Sequence, residues 1–285
     1  MLRLALLAGC ALAAAACSPL RTFDALVPKD AGVEAAAQGQ AFGSAPRQRM
    51  DVYRPRRGGT DLPVIVFLYG GSWNSGTRAG YEFVGRALAA QGFVVAVPDY
   101  RLVPEVRYPT FLQDNAEAVR WLRANARRFG GDGERIVIAG HSAGAYNAAM
   151  LALDSRWLGA DSSAIRGFVG IAGPYDFLPI DSPITRAAFG ADADASSQPG
   201  SFVSADDPPA LLLHGAGDGT VYPRNSERLA QQLRSAGAEA EIRLYPGVGH
   251  VEIVMALAKP FRRKAPVLGD IALFARRVTE APPER

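Results

Sequence analysis

Cysteine is almost absent from this chain. The sequence of 285 residues contains two cysteines, Cys10 and Cys17, and both lie close to its N-terminus. The rest of the sequence therefore cannot form a disulfide, a cysteine nucleophile or a cysteine-based metal site. A domain without thiols also cannot form incorrect disulfides in an oxidising compartment. Thiol-dependent mechanisms are excluded for everything that follows residue 17.

A basic stripe and a long apolar run are also missing. The net charge is +3, but the basic residues are scattered among Asp and Glu without interleaved aromatic residues. We therefore do not expect nucleic-acid binding. The apolar run at residues 4–16 is too short to span a bilayer comfortably. Because 48% of the residues are hydrophobic and 21% are charged, the chain can bury one large core.

The N-terminal segment has the features of an export signal, which we predict over residues 1–17. A minimal basic start at Arg3 precedes the apolar run of small residues at 4–16. The end of this run, LAAAAC at residues 12–17, resembles a bacterial lipoprotein signal, in which Cys17 becomes the lipidated first residue. Ala14 stands where such signals usually have Leu.

Two other interpretations of this signal stay open. A similar box ends at Cys10, but it would leave a very short apolar stretch. Ordinary cleavage near Ala16 would instead give a soluble periplasmic or secreted protein. In each case we expect export from a bacterial cytoplasm. Lipidation of Cys17 would attach the protein to a membrane, on the periplasmic or outer-membrane side.

The remaining chain divides into a short linking segment and one domain. Residues 18–45 are rich in Ala, Gly and Gln, which predicts a tether, and residues 46–285 form one predicted domain, in which any functional site must lie. Within that domain, short apolar runs typical of buried strands alternate with helical patterns. The predicted strands are 62–69, 93–97, 135–139, 167–172, 210–213 and 241–245. The predicted helices are 111–129, 143–153, 224–233 and 271–278.

Such alternation predicts an α/β fold with a mostly parallel, doubly wound sheet flanked by helices. The functional site of such a sheet lies at the carboxyl ends of its strands. Residues 174–207 contain many turn formers and no pattern for a large helical lid. We therefore expect a short cap or an open site.

The third predicted strand runs directly into the sequence GHSAG at residues 140–144, and a helix follows. This strand–turn–helix resembles the nucleophile elbow of α/β-hydrolases. Flanking glycines allow the sharp turn that projects the Ser142 hydroxyl. The amide of Ala143 lies at the helix N-terminus, where it can stabilise an oxyanion.

A second glycine-containing loop, YGGSW at residues 69–73, follows the first buried strand. It resembles the His-Gly-Gly-x-Trp motif of esterases, formamidases and related α/β-hydrolases. The resemblance implies that the amides of Gly71 and Ser72 join Ala143 as oxyanion donors. Tyr69 replaces the motif's histidine, which orients the loop, and a tyrosine hydroxyl could do the same.

The sequence offers three candidates for the general base: His141, His214 and His250. His141 lies inside the elbow, where we expect local packing or hydrogen bonding. His214 ends an apolar strand and resembles the structural histidine that precedes the family's acid loop. His250 lies in a loop directly after the last predicted strand, where its ring can reach the serine. We therefore predict His250 as the base.

The predicted acid is Asp218, in HGAGDGTV at residues 214–221. This segment matches the family pattern H-G-x-x-D-x-x-V, and a carboxylate there can orient the base. Asp206 and Asp207 precede the strand and so lie at the wrong end of the sheet. Asp176, after the fourth predicted strand, is the alternative. The order serine, aspartate, histidine along the chain favours Asp218.

The resemblance extends from about residue 47 to the end of the chain. DYRLVPE at residues 99–105 is similar to the Asp-Tyr-Arg-Leu-Ala-Pro-Glu segment of hormone-sensitive-lipase-like esterases. Together with the Gly-Gly-Ser-Trp loop, it implies a carboxylesterase of the acetyl/feruloyl-esterase type. We expect Asp99 and Arg101 to form a buried ion pair that joins loops.

These features predict a serine carboxylesterase that acts through an acyl-enzyme on short-acyl or aryl esters. The mechanism requires no cofactor and no metal, and the expected partner is a small-molecule ester. One alternative is a formamidase or amidase with the same triad. Another is a non-catalytic, lipid-anchored binding protein with a hydrolase fold.

Overall fold

The computed structural model describes residues 19–280, and in this part of the chain one eight-stranded sheet forms the centre of the fold. Its strands lie in the order β1-β2-β4-β3-β5-β6-β7-β8. β1 and β2 pair antiparallel, as do β2 and β4, and the other pairs are parallel. The strands are β1 (Val33–Ala41), β2 (Arg49–Pro55), β3 (Leu62–Leu68), β4 (Val94–Pro98), β5 (Gly131–His141), β6 (Ile165–Ile171), β7 (Ala210–Gly215) and β8 (Ala240–Tyr245). The predicted mostly parallel sheet is confirmed.

Helices cover both faces of the sheet. They are α1 (Pro19–Leu26), α2 (Glu82–Ala89), α3 (Thr110–Asn125), α4 (Ala143–Leu153), α5 (Pro183–Phe189), α6 (Arg224–Ala236), α7 (His250–Met255) and α8 (Val267–Glu280). α2 and α8 contribute to the core on one face, whereas α3, α4 and α6 pack on the other. None of the helices within residues 19–280 has the length and apolar character needed to cross a bilayer.

The inner strands are apolar on both sides because each side faces a layer of helices. In β3, Ile65 and Phe67 belong to the core beneath α2, whereas Val64 and Val66 pack towards α3. All four side chains are at most 1% exposed. Burial of each such side chain stabilises the fold by roughly 1.5–3 kcal/mol. This two-sided burial explains why the sequence shows continuous apolar runs instead of alternation.

The prediction of a tether over residues 18–45 is wrong for most of this segment. α1 and β1 both lie within it, and β1 pairs antiparallel with β2. Its sequence, VEAAAQGQA, is small, polar and mostly half-buried, so this edge strand lacks the apolar run of the inner strands. The predicted signal at residues 1–17 and the lipidation of Cys17 lie outside the described residues.

The segment between β6 and β7 is a short cap, as expected. Its one α-helix among the described residues is α5, which has seven residues, and 3-10 turns at Ala195–Ser197 and Pro199–Phe202 follow it. Ser182 caps this helix by accepting a hydrogen bond from the amide of Thr185 at 3.1 Å. The cap lies beside the carboxyl ends of the strands, where it borders the cavity described below.

Candidate active site

Ser142 lies in the sharp turn between β5 and α4. Its backbone has φ 54° and ψ −124°, a strained conformation for a residue with a side chain. A Cβ on Gly140 would lie 2.2 Å from the carbonyl oxygen of Gly144, and one on Gly144 would lie 2.0 Å from that of Leu68. Both glycines are therefore required for the turn that presents the serine hydroxyl.

Two hydrogen bonds join Ser142, His250 and Asp218. The Nε2 atom of His250 lies 2.9 Å from Ser142 Oγ, and its Nδ1 atom lies 2.7 Å from Asp218 Oδ2. Asp218 follows β7 and His250 begins α7 just after β8, so three loops meet at the carboxyl edge of the sheet. Because Nδ1 donates to the carboxylate, Nε2 is left to accept the serine proton.

Asp218 is held as a carboxylate. Its side chain is buried, which alone would raise its pKa, but hydrogen bonds from His214, His250 and the Val221 amide outweigh burial and hold the pKa well below its ordinary value. The amides of Thr220 and Val221 each donate to Oδ1 at 2.9 Å. The carboxylate therefore stays charged and can stabilise a protonated His250.

His214 supports the acid loop, as predicted. Its Nε2 atom lies 2.8 Å from the carbonyl oxygen of Val221 and 3.3 Å from Asp218 Oδ2. Both neighbours accept hydrogen bonds, so Nε2 carries the proton and Nδ1 accepts from the Ser226 hydroxyl at 2.7 Å. The ring is completely buried. His214 thereby fixes the loop that carries Asp218 and does not contact Ser142.

His141 makes a contact that the sequence did not reveal. Its Nε2–H donates to the backbone carbonyl of His250 at 3.0 Å, across a separation of 109 positions. Burial, together with the neighbouring His250, lowers the pKa of His141 to about 3, so the ring is neutral. Its Nδ1 atom is buried without a hydrogen-bond partner. The residue before the nucleophile therefore holds the backbone of the predicted base.

The predicted oxyanion loop lies beside Ser142. Gly71, Ser72 and Trp73 have φ values of 130°, 53° and 58°, and a Cβ on Gly71 would lie 2.4 Å from a backbone oxygen of the same loop. Gly71, Ser72 and Ala143 line one cavity together with Ser142. The structure therefore places the three residues predicted to supply amide donors at the same cavity as the serine.

Three side chains, the buried Tyr69 and Asp99 and the partly exposed Arg47, hold the two ends of this loop. The Tyr69 hydroxyl donates to Asp99 Oδ1 at 2.8 Å, and Arg47 Nη2 donates to the Tyr69 oxygen and to the Gly76 carbonyl, each at 2.9 Å. Asp99 also accepts from the Arg78 amide at 2.7 Å. Burial raises the pKa of Tyr69 well above its ordinary value, so its hydroxyl keeps its proton. Tyr69 thus orients the loop, as predicted for this substitution of the motif's histidine.

The expected ion pair between Asp99 and Arg101 does not form. Asp99 pairs with Arg78, and Arg47 Nη2 lies 3.7 Å from it. Arg101 reaches into α3 and binds Asp114 with two nitrogen–oxygen distances of 2.7 and 2.9 Å. Asp99 and Arg101 do not pair because the fold places the guanidinium of Arg78 against Asp99 and the carboxylate of Asp114 against Arg101.

Ser142 lines a cavity of about 810 Å³. Aromatic side chains contribute to its wall, namely Trp73, Tyr81, Phe177 and Tyr222. Asp176, the alternative acid, also lines it, but its carboxylate binds Arg228 at 2.6 Å. Since Asp218 occupies Nδ1 of the imidazole, Asp176 has no part in the hydrogen-bonded chain.

The sheet, the elbow and the flanking helices together define an α/β-hydrolase fold. Esterase B from Lactobacillus rhamnosis has the same fold, with a TM-score of 0.79 over 96% of this chain and 95% of that one, at 19% identity. At that identity, the likeness concerns the fold alone.

The chain belongs to the BD-FAE family, whose model matches residues 50–233. It is 32% identical over 264 residues to esterase LipC from Mycobacterium tuberculosis, covering 83% of this chain and 64% of LipC. It is 29% identical over 239 residues to isoprenylcysteine alpha-carbonyl methylesterase ICME from Arabidopsis thaliana, covering 75% of this chain and 56% of ICME. The chain thus spans between about half and two thirds of these relatives' lengths. The predicted resemblance to α/β-hydrolase esterases is confirmed.

Proposed function

We propose that the protein is a serine carboxylic-ester hydrolase in which Ser142 is the nucleophile, His250 the general base and Asp218 the residue that orients it. The observation that carries this proposal is the hydrogen-bonded chain from Asp218 Oδ2 through the imidazole to Ser142 Oγ, with distances of 2.7 and 2.9 Å. Such a relay activates a hydroxyl that is otherwise a weak nucleophile. The esterase relatives support the same reaction class.

In the first half of the reaction, Ser142 Oγ bonds to the carbonyl carbon of the ester while its proton passes to Nε2 of His250. The electron pair of the carbonyl double bond moves to the oxygen, and the charged Asp218 stabilises the imidazolium. When the carbonyl re-forms, the bond to the leaving alkoxide breaks, and His250 donates its proton to that oxygen. The alcohol leaves and an acyl-enzyme remains.

In the second half, His250 takes a proton from water as the water oxygen attacks the acyl carbon. Collapse of the second intermediate breaks the bond to Ser142 Oγ, which regains its proton from the imidazole, and the carboxylic acid leaves. In our proposal the amides of Gly71, Ser72 and Ala143 donate to the oxyanion in both halves. One such donor contributes roughly 10²–10³-fold to turnover in enzymes of this type.

We propose short-acyl or aryl esters as substrates. The short cap and the cavity of about 810 Å³ with its aromatic wall support a compact acyl or aryl group near Ser142. The names of the relatives, an esterase and a methylesterase, agree with ester cleavage. No specific contact in the cavity favours an amide over an ester.

Hydrolysis of p-nitrophenyl acetate by the Ser142→Ala variant tests the proposal. We expect loss of activity and loss of labelling by a fluorophosphonate probe, with an unchanged circular dichroism spectrum. Ser155→Ala, which removes an exposed hydroxyl outside the cavity, is the matched control and should keep both signals. Full activity of Ser142→Ala would show that another group is the nucleophile. A parallel assay with an N-formyl substrate separates esterase from formamidase activity.

We also propose that the protein is exported and lipidated at Cys17. The support is the sequence of residues 1–17, a basic start and a short apolar run that ends in cysteine. Metabolic labelling of expressing bacteria with palmitate tests this, because labelling should disappear in Cys17→Ser and persist in Cys10→Ser. Export without labelling would mean ordinary signal cleavage.

A further inference from the structure

Exposed apolar side chains line the cavity that Ser142 also lines. Ile184, Tyr222 and Val251 line this cavity and are 49%, 55% and 53% exposed. Leu20 and Leu178 line it as well and are partly exposed. We name these five side chains the apolar mouth. They come from α1, the cap, the loop before α6 and the start of α7, so the mouth is assembled from separate parts of the chain.

Such a concentration is unusual for a surface that faces only water. Of the six large hydrophobic side chains that are strongly exposed within residues 19–280, three belong to the apolar mouth. Exposed apolar groups gathered around a concave site are typical of surfaces that bind a partner or a membrane. The other three, Leu26, Leu244 and Leu273, do not line the cavity.

The positively and negatively charged side chains that line the cavity are equal in number. Two carboxylates, Asp176 and Asp181, and two guanidinium groups, Arg224 and Arg228, line the cavity. Asp176 and Arg228 form an ion pair at 2.6 Å. An occupant of the mouth is therefore attracted by apolar contact and not by a net charge.

The start of the N-terminal helix limits how far Cys17 can be from the mouth. Leu20 is three residues from Cys17, so their Cα atoms are at most about 11 Å apart. α1 is itself held against the domain, because Asp24 Oδ1 accepts a hydrogen bond from the Phe83 amide at 2.8 Å. A lipid attached to Cys17 would therefore enter its membrane next to the cavity opening.

We propose that the apolar mouth docks on a lipid bilayer and that the substrate is an ester of an amphiphilic alcohol, which passes from the bilayer to Ser142. The choice of substrate rests on the proposed ester hydrolase function, whereas the docking does not. The proximity of Cys17, the apolar side chains and the balanced charge all favour a lipid surface over a charged partner. On docking, Ile184, Tyr222 and Val251 lose their contact with water.

Fluorescence of a dye placed at the mouth tests the docking without any catalytic readout. The full-length Ile184→Cys and Leu273→Cys variants, each in a Cys10→Ser/Cys17→Ser background so that the introduced cysteine is the only thiol, are labelled with the environment-sensitive NBD fluorophore and mixed with phosphatidylcholine vesicles. We expect NBD emission to rise at least twofold and shift to shorter wavelength at position 184, with little change at position 273. Equal responses at the two positions would overturn the proposal.

A competition between two esters tests the substrate class. The full-length protein on phosphatidylcholine vesicles is assayed with hexadecyl acetate embedded in the bilayer and with p-nitrophenyl acetate in solution. In the double variant Ile184→Ser/Tyr222→Ser, we expect the ratio of embedded to soluble turnover to fall at least fivefold. The matched control Leu244→Ser/Leu273→Ser, which removes exposed apolar groups elsewhere, should keep the wild-type ratio.

The outcomes separate the two proposals. If the wild-type protein hydrolyses neither ester, the proposed function fails, while the NBD signal still decides the docking. If it hydrolyses the soluble ester but the ratio is unchanged in the mouth variant, the membrane-borne substrate is wrong and the esterase remains.

Discussion

The imidazole of His141 donates a hydrogen bond to the backbone carbonyl of His250 at 3.0 Å, and the two ring centroids lie 5.0 Å apart. This bond joins the turn that carries Ser142 to the loop that carries the proposed base. Because His141 is buried and its pKa is lowered to about 3, it stays a neutral donor at any pH well above that value.

The buried His141 should make stability depend on pH. Its pKa is about 3 in the folded state and ordinarily about 6.5, so the unfolded state binds one more proton between these values. The free energy of unfolding therefore falls as pH decreases below 6.5, by up to about 1.4 kcal/mol per pH unit. We expect His141→Gln to have a flatter profile in urea unfolding at pH 7, 6 and 5. Parallel profiles for the two proteins would contradict this origin.

Asp218→Asn should lower kcat by about 10⁴-fold, as in other serine hydrolases with this arrangement. An amide oxygen can still accept from the Thr220 and Val221 amides, so the loop should keep its shape. The amide carries no charge to stabilise the imidazolium and can hold the ring in the wrong tautomer. Asp206→Asn, at the other end of the same strand, is the control for turnover of p-nitrophenyl acetate. Similar losses in both variants would argue against the assigned role.

Tyr69→Phe should reduce kcat about tenfold and leave KM nearly unchanged, because in our proposal the loop that it orients supplies donors to the oxyanion and not to the ground-state ester. The variant leaves Asp99 and Arg47 with one partner fewer. Tyr245→Phe removes a comparable hydroxyl that donates to Asp270 at 2.6 Å, outside the cavity. Steady-state kinetics should show a lower kcat for Tyr69→Phe and an unchanged kcat for Tyr245→Phe. If both variants lose only folding stability and keep the wild-type kcat, the orienting role of Tyr69 is refuted.

Gly144→Ala should destabilise the fold by more than about 3 kcal/mol, because the new Cβ would lie 2.0 Å from the carbonyl oxygen of Leu68 and the central strand cannot move aside. Gly269→Ala, in the exposed side of α8, meets nothing within 4 Å and should stabilise by up to about 1 kcal/mol through helix propensity. Urea denaturation followed by circular dichroism measures both changes. Equal effects of the two substitutions would exclude steric conflict as the cause.

The inner part of the fold could be predicted because parallel strands buried on two faces have continuous apolar runs. β3, β7 and β8 begin within one residue of the predicted positions. The N-terminal edge lacks this signal, since β1 is small, polar and half-buried, and its pairing with β2 depends on tertiary contact. Composition alone therefore indicated a tether where the chain forms a strand.

In the site, residues in recognisable local motifs could be predicted, whereas contacts between distant segments could not. The sequence around Ser142, Asp218 and His250 indicates their places at strand ends. The bond from His141 to a carbonyl 109 positions away has no local pattern. The same holds for Asp99, whose partner depends on which guanidinium the folded chain brings nearest.

The eight-strand order has a consequence for how this protein can be altered. Ser142, Asp218 and His250 follow β5, β7 and β8, and the whole cap is inserted after β6, a strand that carries none of them. Replacing residues 174–207 with a longer or shorter segment would thus redesign the entrance while the reacting groups keep their anchoring strands. The cap, which contributes to the apolar mouth, can therefore be varied by directed evolution without changing the strands that precede Ser142, Asp218 and His250.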